Sequence, residues 1–143
     1  MVITVDGPAG AGKGTLARCL AQIYSLDCLD TGLLYRAVAL KMLENGENFE
    51  DMGAALRTAL LLKNDDLKNP LLRSEIIGNG ASIVAAFSEV RSTLLEFQRD
   101  FARNPSIGQQ GVILDGRDIG CTVLPEAPCK IFVIASPKVR AER

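Results

Sequence analysis

A chain of 143 residues, 48% hydrophobic and 23% charged, has the size and composition of one folded domain with a hydrophobic core. Its formal net charge of −1, its lack of a dense lysine and arginine run and its short apolar runs argue against nucleic-acid binding and against a membrane-spanning helix. Histidine is absent and the four cysteines lack metal-type spacing, so we expect no zinc site and reduced thiols in a cytoplasmic protein.

The first predicted elements are a strand, a glycine-rich loop and a helix. The strand, Val2–Val5, is β-branched throughout, which is typical of a buried strand in a parallel sheet, and the helix spans residues 15–24. The loop comprises Gly7, Pro8, Ala9, Gly10, Ala11, Gly12, Lys13, Gly14 and Thr15. Glycines let the loop N–H groups point inward, the helix N-terminus adds partial positive charge, and Lys13 reaches the outer phosphates. This loop therefore predicts binding of a nucleoside triphosphate.

The residue after Lys13 departs from the usual form of such loops. It is Gly14, where a serine or threonine hydroxyl commonly contacts magnesium, and Thr15 offers a hydroxyl one residue later. We therefore predict that Mg²⁺ accompanies the nucleotide and is held mostly by phosphates and water. Asp115 ends a later apolar strand and is a candidate carboxylate for the water shell of this metal; the alternative is a solvated turn carboxylate.

The middle of the chain is predicted to be one short strand followed by helices. The strand is Leu26–Leu29, and the turn Asp30-Thr31-Gly32 ends it. Helices are predicted over residues 33–45, from a cap at Asn48 to about residue 63, and over residues 74–86 and 88–103. The polar segment 63–70 ends in proline and is predicted to be a surface loop.

The last predicted elements are two buried strands, over residues 111–115 and 130–134, and a helix. Ser136-Pro137 starts that helix with a capping serine and a proline at the first helical position, and the helix runs to the last residue, Arg143. Strands that are separated by helices indicate right-handed crossovers and a parallel sheet. The helical block between the second and third strands is too large for a simple crossover and is predicted to form a lobe.

Three further segments carry hydroxyls and arginines. They are Asp30–Arg36 (DTGLLYR), Ser82–Arg91 (SIVAAFSEVR) and Asp115–Gly120 (DGRDIG). Two of them follow strands, and loops at that edge of an open α/β sheet are where ligands bind. Together with the glycine loop, and in this order, these motifs resemble those of the bacterial cytidylate kinase family. The resemblance covers the chain from Val2 to Arg143.

The resemblance implies an α/β P-loop NTPase fold with three α/β/α layers, a parallel sheet and a helical NMP-binding lobe. It implies a single kinase domain, with a core over about residues 1–36 and 106–143 and a lobe over about 37–105. The implied reaction transfers the γ-phosphoryl group of ATP to CMP or dCMP, with Mg²⁺. Family members continue into an arginine-rich lid, a fifth strand and a last helix. The chain is therefore expected to be C-terminally truncated and to turn over poorly alone.

The resemblance also assigns roles to individual residues. Gly7 to Thr15 would bind ATP. The residues implied as catalytic are Lys13, Arg36 and Arg117. The residues implied in CMP binding are Thr31, where a serine is frequent, Arg36, Ser82, Arg91, Arg117 and Asp118.

Elementary chemistry is compatible with these roles. A phosphate acceptor carries about −1.5 to −2 charges at pH 7, so the reaction needs no base and a chain without histidine can catalyse it. Arginine suits the binding of this phosphate because it forms two parallel hydrogen bonds to it. The exocyclic amine of cytosine suits Ser82 and Asp118, and its ring nitrogen and carbonyl suit Arg91. As structural alternatives, Arg91 is a solvated charge, Ser82 an ordinary helix serine, and Arg117 and Asp118 pair with each other. Asp6 and Asp30 are interpreted as structural turn residues.

Two other functions remain open at this point. One is an inactive nucleotide-binding module or fragment, and the other is a P-loop kinase that phosphorylates a hydroxyl of another small molecule. A hydroxyl acceptor requires a base or a metal-activated alcohol, for which the sequence offers no dedicated candidate. The expected partners are ATP and CMP or dCMP, with no nucleic acid and no membrane. No dimerisation stripe is visible, so we expect a monomer.

Overall fold

In a computed structural model that describes residues 1–141, the chain forms a parallel β-sheet and a series of helices. The strands are β1 (Val2–Asp6), β2 (Leu26–Asp30), β3 (Gly111–Gly116) and β4 (Cys129–Phe132). The α-helices are α1 (Lys13–Tyr24), α2 (Gly32–Glu44), α3 (Met52–Leu60), α4 (Glu75–Val84), α5 (Ser88–Arg103) and α6 (Pro137–Ala141). Two 3₁₀ segments, Asn64–Lys68 and Pro70–Arg73, and one π-turn, Ile119–Val123, complete the described part.

The four strands pair in the order β2-β3-β1-β4, and every pair is parallel. Strand β3 is buried along nearly its whole length, which agrees with its continuously apolar sequence. The prediction of a buried strand over residues 130–134 is wrong in burial and bounds, because β4 is mostly exposed at the edge of the sheet and spans Cys129–Phe132. A parallel sheet flanked by helices confirms the predicted α/β class and is consistent with a P-loop NTPase kinase fold.

The chain divides into two compact units. One consists of Met1–Thr31 and the chain from Gln98 onward, and the other of Gly32–Phe97. We call them the sheet unit and the helical unit. The functional division into a core and a lobe stays a prediction.

The sheet unit has its core between the sheet and α1. Ile3, Val5 and Ile113 from the two central strands pack with Ala17 and Ala21 of the helix, and all five are buried. The small alanines let the helix lie close to the β-branched strand surface. This packing fixes the start of α1, and with it the end of the glycine loop.

The helical unit is built around α2, which contacts α3, α4 and the segment Pro70–Arg73. Leu34, Val38 and Met42 are buried at successive turns of this helix. Gly80 of α4 allows a close approach, because a Cβ atom there would lie 2.8 Å from the ring of Phe49. The unit therefore has an apolar core of its own.

Two predictions in the helical unit are wrong in detail. Helix α3 does not begin after Asn48: the Asn48 carboxamide oxygen accepts from the Glu50 N–H in a turn, whereas Asp51 caps the helix by accepting from the Ala54 N–H at 2.9 Å. The predicted surface loop over 63–70 is largely 3₁₀ helix. There the Asp66 carboxylate accepts from the Lys63 N–H at 2.8 Å and pairs with Lys41.

Helix α6 is the last element in the described part of the chain. Helix α6 begins at Pro137 as predicted, and the Ser136 hydroxyl accepts from the Val139 N–H. Its predicted continuation to Arg143 lies outside the described residues. None of the helices in residues 1–141 is long and apolar enough to cross a bilayer.

Candidate active site

The glycine loop joins β1 to α1 and closes on the Pro8 carbonyl. That oxygen accepts from the Lys13 ammonium at 3.0 Å and from the Ala11 N–H at 3.3 Å. Gly12, at the N-cap of α1, has a left-handed φ of 98° and no capping side chain. The first N–H groups of α1 are therefore not capped by a side chain at Gly12, which is the arrangement that favours an anion.

The glycine loop packs tightly against the backbone of two later residues. A Cβ atom at Gly7 would collide with the carbonyl oxygen of Val133, and one at Gly10 would lie 3.0 Å from the carbonyl oxygen of Arg140. Gly10 also has a left-handed φ of 75°. These glycines are required by their surroundings as well as by backbone conformation.

Asp115 explains why glycine follows the loop lysine. Its side chain is 5% exposed at the end of β3, and a Cβ atom at Gly14 would lie 3.1 Å from one of its carboxylate oxygens. The same Cβ atom would lie 3.3 Å from the guanidinium of Arg18. A larger residue at this position would crowd both groups, so Gly14 leaves room for the Asp115 carboxylate beside the loop.

A second carboxylate lies on the strand next to Asp115. Asp30 ends β2 and is the register partner of Asp115, and side chains in register on parallel strands share a face of the sheet. The sequence interpretation treated Asp30 as a structural turn residue. Its position at the carboxyl end of β2, next to a strand end that carries the candidate metal residue, makes it a second acidic group at this edge.

The pKa of the Cys28 thiol reflects the charges near this edge of the sheet. Although the residue is exposed on β2, burial of its thiol, reinforced by the negative charge of Asp115, raises the pKa from its ordinary 9.0 to about 11. Arg18 acts in the opposite direction, and Asp30 again raises the pKa. The surroundings of this thiol thus disfavour a further negative charge.

The raised pKa predicts slow alkylation of Cys28. At pH 8 we expect its iodoacetamide labelling, followed by peptide mass mapping, to be about 100-fold slower than that of a free thiol, because the thiolate fraction falls by that factor. Asp115→Asn removes the second cause and should accelerate the reaction. Labelling as fast as that of a free thiol would contradict the prediction.

Three predicted CMP-binding residues belong to the sheet unit. The Thr31 hydroxyl, which is nearly buried, donates to the Asp115 carbonyl oxygen at 2.8 Å. Arg117 and Asp118 follow β3 and are exposed. Neither side chain forms an ion pair or hydrogen bond with another residue among those described, so the structure does not contain the mutual pair that was considered as an alternative. Their binding roles stay predictions.

The other three are Arg36, Ser82 and Arg91 of the helical unit. Each forms hydrogen bonds within α4 or at one of its ends. The Arg36 guanidinium donates to the carbonyl oxygens of Leu72 at 2.7 Å and Ser74 at 3.3 Å. Arg36 and Ser82 meet at Gly78: the Ser82 hydroxyl donates to its carbonyl oxygen, and a Cβ atom there would lie 2.9 Å from an Arg36 nitrogen.

Arg91 lies at the opposite end of α4. Its guanidinium donates to the carbonyl oxygens of Ala85 at 2.9 Å and Ala86 at 2.7 Å. It is therefore more than a solvated surface charge, because it holds the turn between α4 and α5. Its contact with a base stays a prediction.

Asp6 is a further candidate that the sequence interpretation took for a structural turn residue. It ends β1, is 8% exposed, and its carboxylate accepts from the N–H groups of Ile119 and Gly120, both at 2.7 Å. Those two residues directly follow Arg117 and Asp118. The only local signal was a carboxylate between a buried strand and the glycine loop.

Comparison with known proteins gives one consistent result. A family model described as cytidylate kinase matches residues 3–143. Proteins named cytidylate kinase from Methylobacterium sp. (strain 4-46), Rhodospirillum rubrum and Bradyrhizobium diazoefficiens are 52%, 51% and 48% identical to the chain. Each similarity covers the whole chain, and the chain spans 66%, 67% and 66% of the length of these relatives, respectively.

Proposed function

Because the chain belongs to the cytidylate kinase family, we propose that the protein transfers the γ-phosphoryl group of ATP to CMP or dCMP, giving CDP or dCDP. The observation that carries the proposal is the sheet edge at β3. There Asp115 lies beside the glycine loop, and the exposed Arg117 and Asp118 follow in the same chain segment. This arrangement supports a donor site and an acceptor site at the same strand end.

The loop Gly7–Thr15 would bind the triphosphate of ATP. Its Lys13 ammonium donates to the Pro8 carbonyl oxygen at 3.0 Å, a weaker partner than a phosphate oxygen. A triphosphate would therefore compete well for the ammonium group. The N–H groups at the start of α1 would add donors to the bridging phosphates.

The residues proposed to bind the acceptor are those that the family resemblance implies, namely Thr31, Arg36, Ser82, Arg91, Arg117 and Asp118. Two unit charges about 4 Å apart repel by roughly 4 kcal/mol at an effective dielectric near 20, so two phosphates cannot approach without cations. Arg36 and Arg117 would neutralise the acceptor phosphate. The acceptor phosphate is itself the nucleophile, and no histidine is needed.

Mg²⁺ fits the oxygen donors at this edge. Asp115 and Asp30 supply hard carboxylate oxygens, and no group of three or more metal-binding side chains occurs among the described residues. Bound with ATP, the ion would screen the phosphate charge. Asp115 would then orient its water shell.

The test of the proposal is Asp118→Asn in the full-length protein. The Asp118 carboxylate would accept from the cytosine amine and repel the carbonyl that uracil has in its place. The substitution should lower the preference for CMP over UMP about tenfold or more in a coupled ADP assay. Asp100→Asn, on an exposed carboxylate that pairs with Arg103, is the matched control and should change nothing. An unchanged preference would remove Asp118 from base recognition.

The alternatives predict other outcomes of the same assay. An inactive nucleotide-binding module would gain thermal stability with ATP but would release no ADP when CMP is added. A kinase for a hydroxyl acceptor would prefer another small molecule in an acceptor screen. The family assignment favours neither.

The proposed setting is a cytoplasmic monomer. The four cysteines, Cys19, Cys28, Cys121 and Cys129, are all free, as expected for a reducing compartment. We propose no nucleic-acid or membrane partner, in keeping with the net charge of −1. Light scattering on the full-length protein tests the monomer.

A further inference from the structure

We propose that Asp6 is the positioning residue that holds Arg117 and Asp118 in place for the acceptor nucleotide. This inference rests on the proposed function for its consequence, but its structural part does not. The carboxylate lies at the end of β1, is 8% exposed, and uses both oxygens: one accepts from the Ile119 N–H and the other from the Gly120 N–H, each at 2.7 Å.

These two N–H groups open the π-turn Ile119–Val123. The turn closes through its own later bonds, from the Leu124 N–H to the Ile119 carbonyl oxygen and from the Thr122 N–H to the Asp118 carbonyl oxygen, both at 2.8 Å. Its first N–H groups have no such internal partner, which is true of any helical segment. Asp6 therefore caps the turn from a strand that lies more than a hundred residues earlier in the chain.

Gly120 is closely packed against the groups around this cap. A Cβ atom on Gly120 would lie 2.8 Å from the Thr4 hydroxyl and 3.1 Å from an Asp6 carboxylate oxygen. The Thr4 hydroxyl is fully buried and has no hydrogen-bond partner among the described residues, so the space next to Gly120 is already filled by a buried side chain. Glycine at position 120 is what allows the turn to approach the carboxylate.

The cap by Asp6 affects the positions of Arg117 and Asp118. Both side chains are exposed and neither has a partner among the described residues. Their positions are therefore set by the backbone, which is held by β3 on one side and, on the other, by the two bonds to Asp6 and the bond from the Thr122 N–H to the Asp118 carbonyl oxygen. Loss of the bonds to Asp6 would loosen the backbone at Arg117 and Asp118, and base recognition depends on hydrogen-bond direction.

The test is Asp6→Asn in the full-length protein. Asparagine keeps the size of the side chain but offers one acceptor oxygen in place of two, so one N–H group must face an amide NH₂. Amide hydrogen exchange at Ile119 and Gly120 should become faster. The dissociation constant for CMP should rise about tenfold and the preference for CMP over UMP should fall, while ATP affinity should change by less than about threefold.

Asp27→Asn is the matched control, because the Asp27 carboxylate of β2 also accepts a distant backbone N–H, from Ser106, in the same unit. It should lower the melting temperature without altering the selectivity for CMP. If Asp6→Asn does not fold, Gly120→Ala serves in its place. Its added Cβ atom should push the turn away from the carboxylate and give the same loss of selectivity.

The outcomes separate the two proposals. Unchanged exchange at Ile119 and Gly120 overturns the positioning role, whatever the substrate. Faster exchange with unaltered CMP selectivity, or an equal loss of ATP and CMP affinity, also overturns it, because Asp6 would then act only on general stability. A wild-type protein that neither binds nor phosphorylates CMP would refute the proposed function, and amide exchange would still decide whether Asp6 anchors the turn.

Discussion

Replacing Lys13 by methionine in the full-length protein is expected to lower kcat for CMP phosphorylation about 10²–10³-fold. Methionine keeps the length of the side chain but removes the cation. In the structure the Lys13 ammonium already points into the loop, where it donates to the Pro8 carbonyl oxygen at 3.0 Å. A group held at that point would stabilise the charge that develops on the transferred phosphoryl, and this stabilisation is greatest in the transition state.

The loop itself should survive the substitution. The left-handed glycines and the close packing of Gly7 against Val133 do not depend on the lysine. The melting temperature without ligand should therefore change little. The stabilisation that ATP gives in the wild type should shrink. Lys68→Met, which breaks an exposed ion pair with Asp65, is the control and should leave kcat unchanged. Full activity of Lys13→Met would contradict the assignment of the loop.

Contiguous motifs account for what could be predicted from sequence. The loop from Gly7 to Thr15 has its strand, glycines and lysine within one stretch, so the strand before it and the helix after it could both be predicted. Asp115 was accessible for a similar reason, because an acid at the end of an apolar strand lies at the ligand edge of a parallel sheet. The reason for Gly14 was not accessible, since the Asp115 carboxylate that it accommodates is about a hundred residues away in the chain.

The errors have a related cause. Asn48 and Asp51 are equally good helix caps by residue type, and only the backbone path decides that Asp51 accepts from the Ala54 N–H. In the segment 63–70, polar composition indicated a loop, but a carboxylate that returns to the Lys63 N–H winds it into 3₁₀ turns. Asp6 is the extreme case, because its partners follow β3 and nothing in the neighbouring sequence indicates them.

Arg117→Met in the full-length protein is expected to lower kcat/KM for CMP about 10²–10³-fold, with a smaller effect on the KM for ATP. The residue is exposed after β3, and its guanidinium makes no ion pair among the described residues, so little folding energy depends on it. An acceptor phosphate would bind the planar N–H donors of Arg117 without displacing any partner in the described part of the protein. Arg117 differs in this respect from Arg36, whose guanidinium also holds the Leu72 and Ser74 carbonyl oxygens.

The two substitutions Arg36→Met and Arg117→Met can therefore be compared in the same experiment. Arg36→Met should lose both activity and stability, because its guanidinium binds two carbonyl oxygens in addition to its proposed role at the acceptor phosphate, whereas Arg117→Met should lose activity at a nearly unchanged melting temperature. Arg103→Met removes an exposed arginine that pairs with Asp100 and should affect neither activity nor stability. Arg117→Lys should recover only part of the activity, since an ammonium group cannot bind phosphate with two parallel donors. Wild-type kcat/KM in Arg117→Met would mean that the charge of the acceptor phosphate is neutralised by another part of the protein.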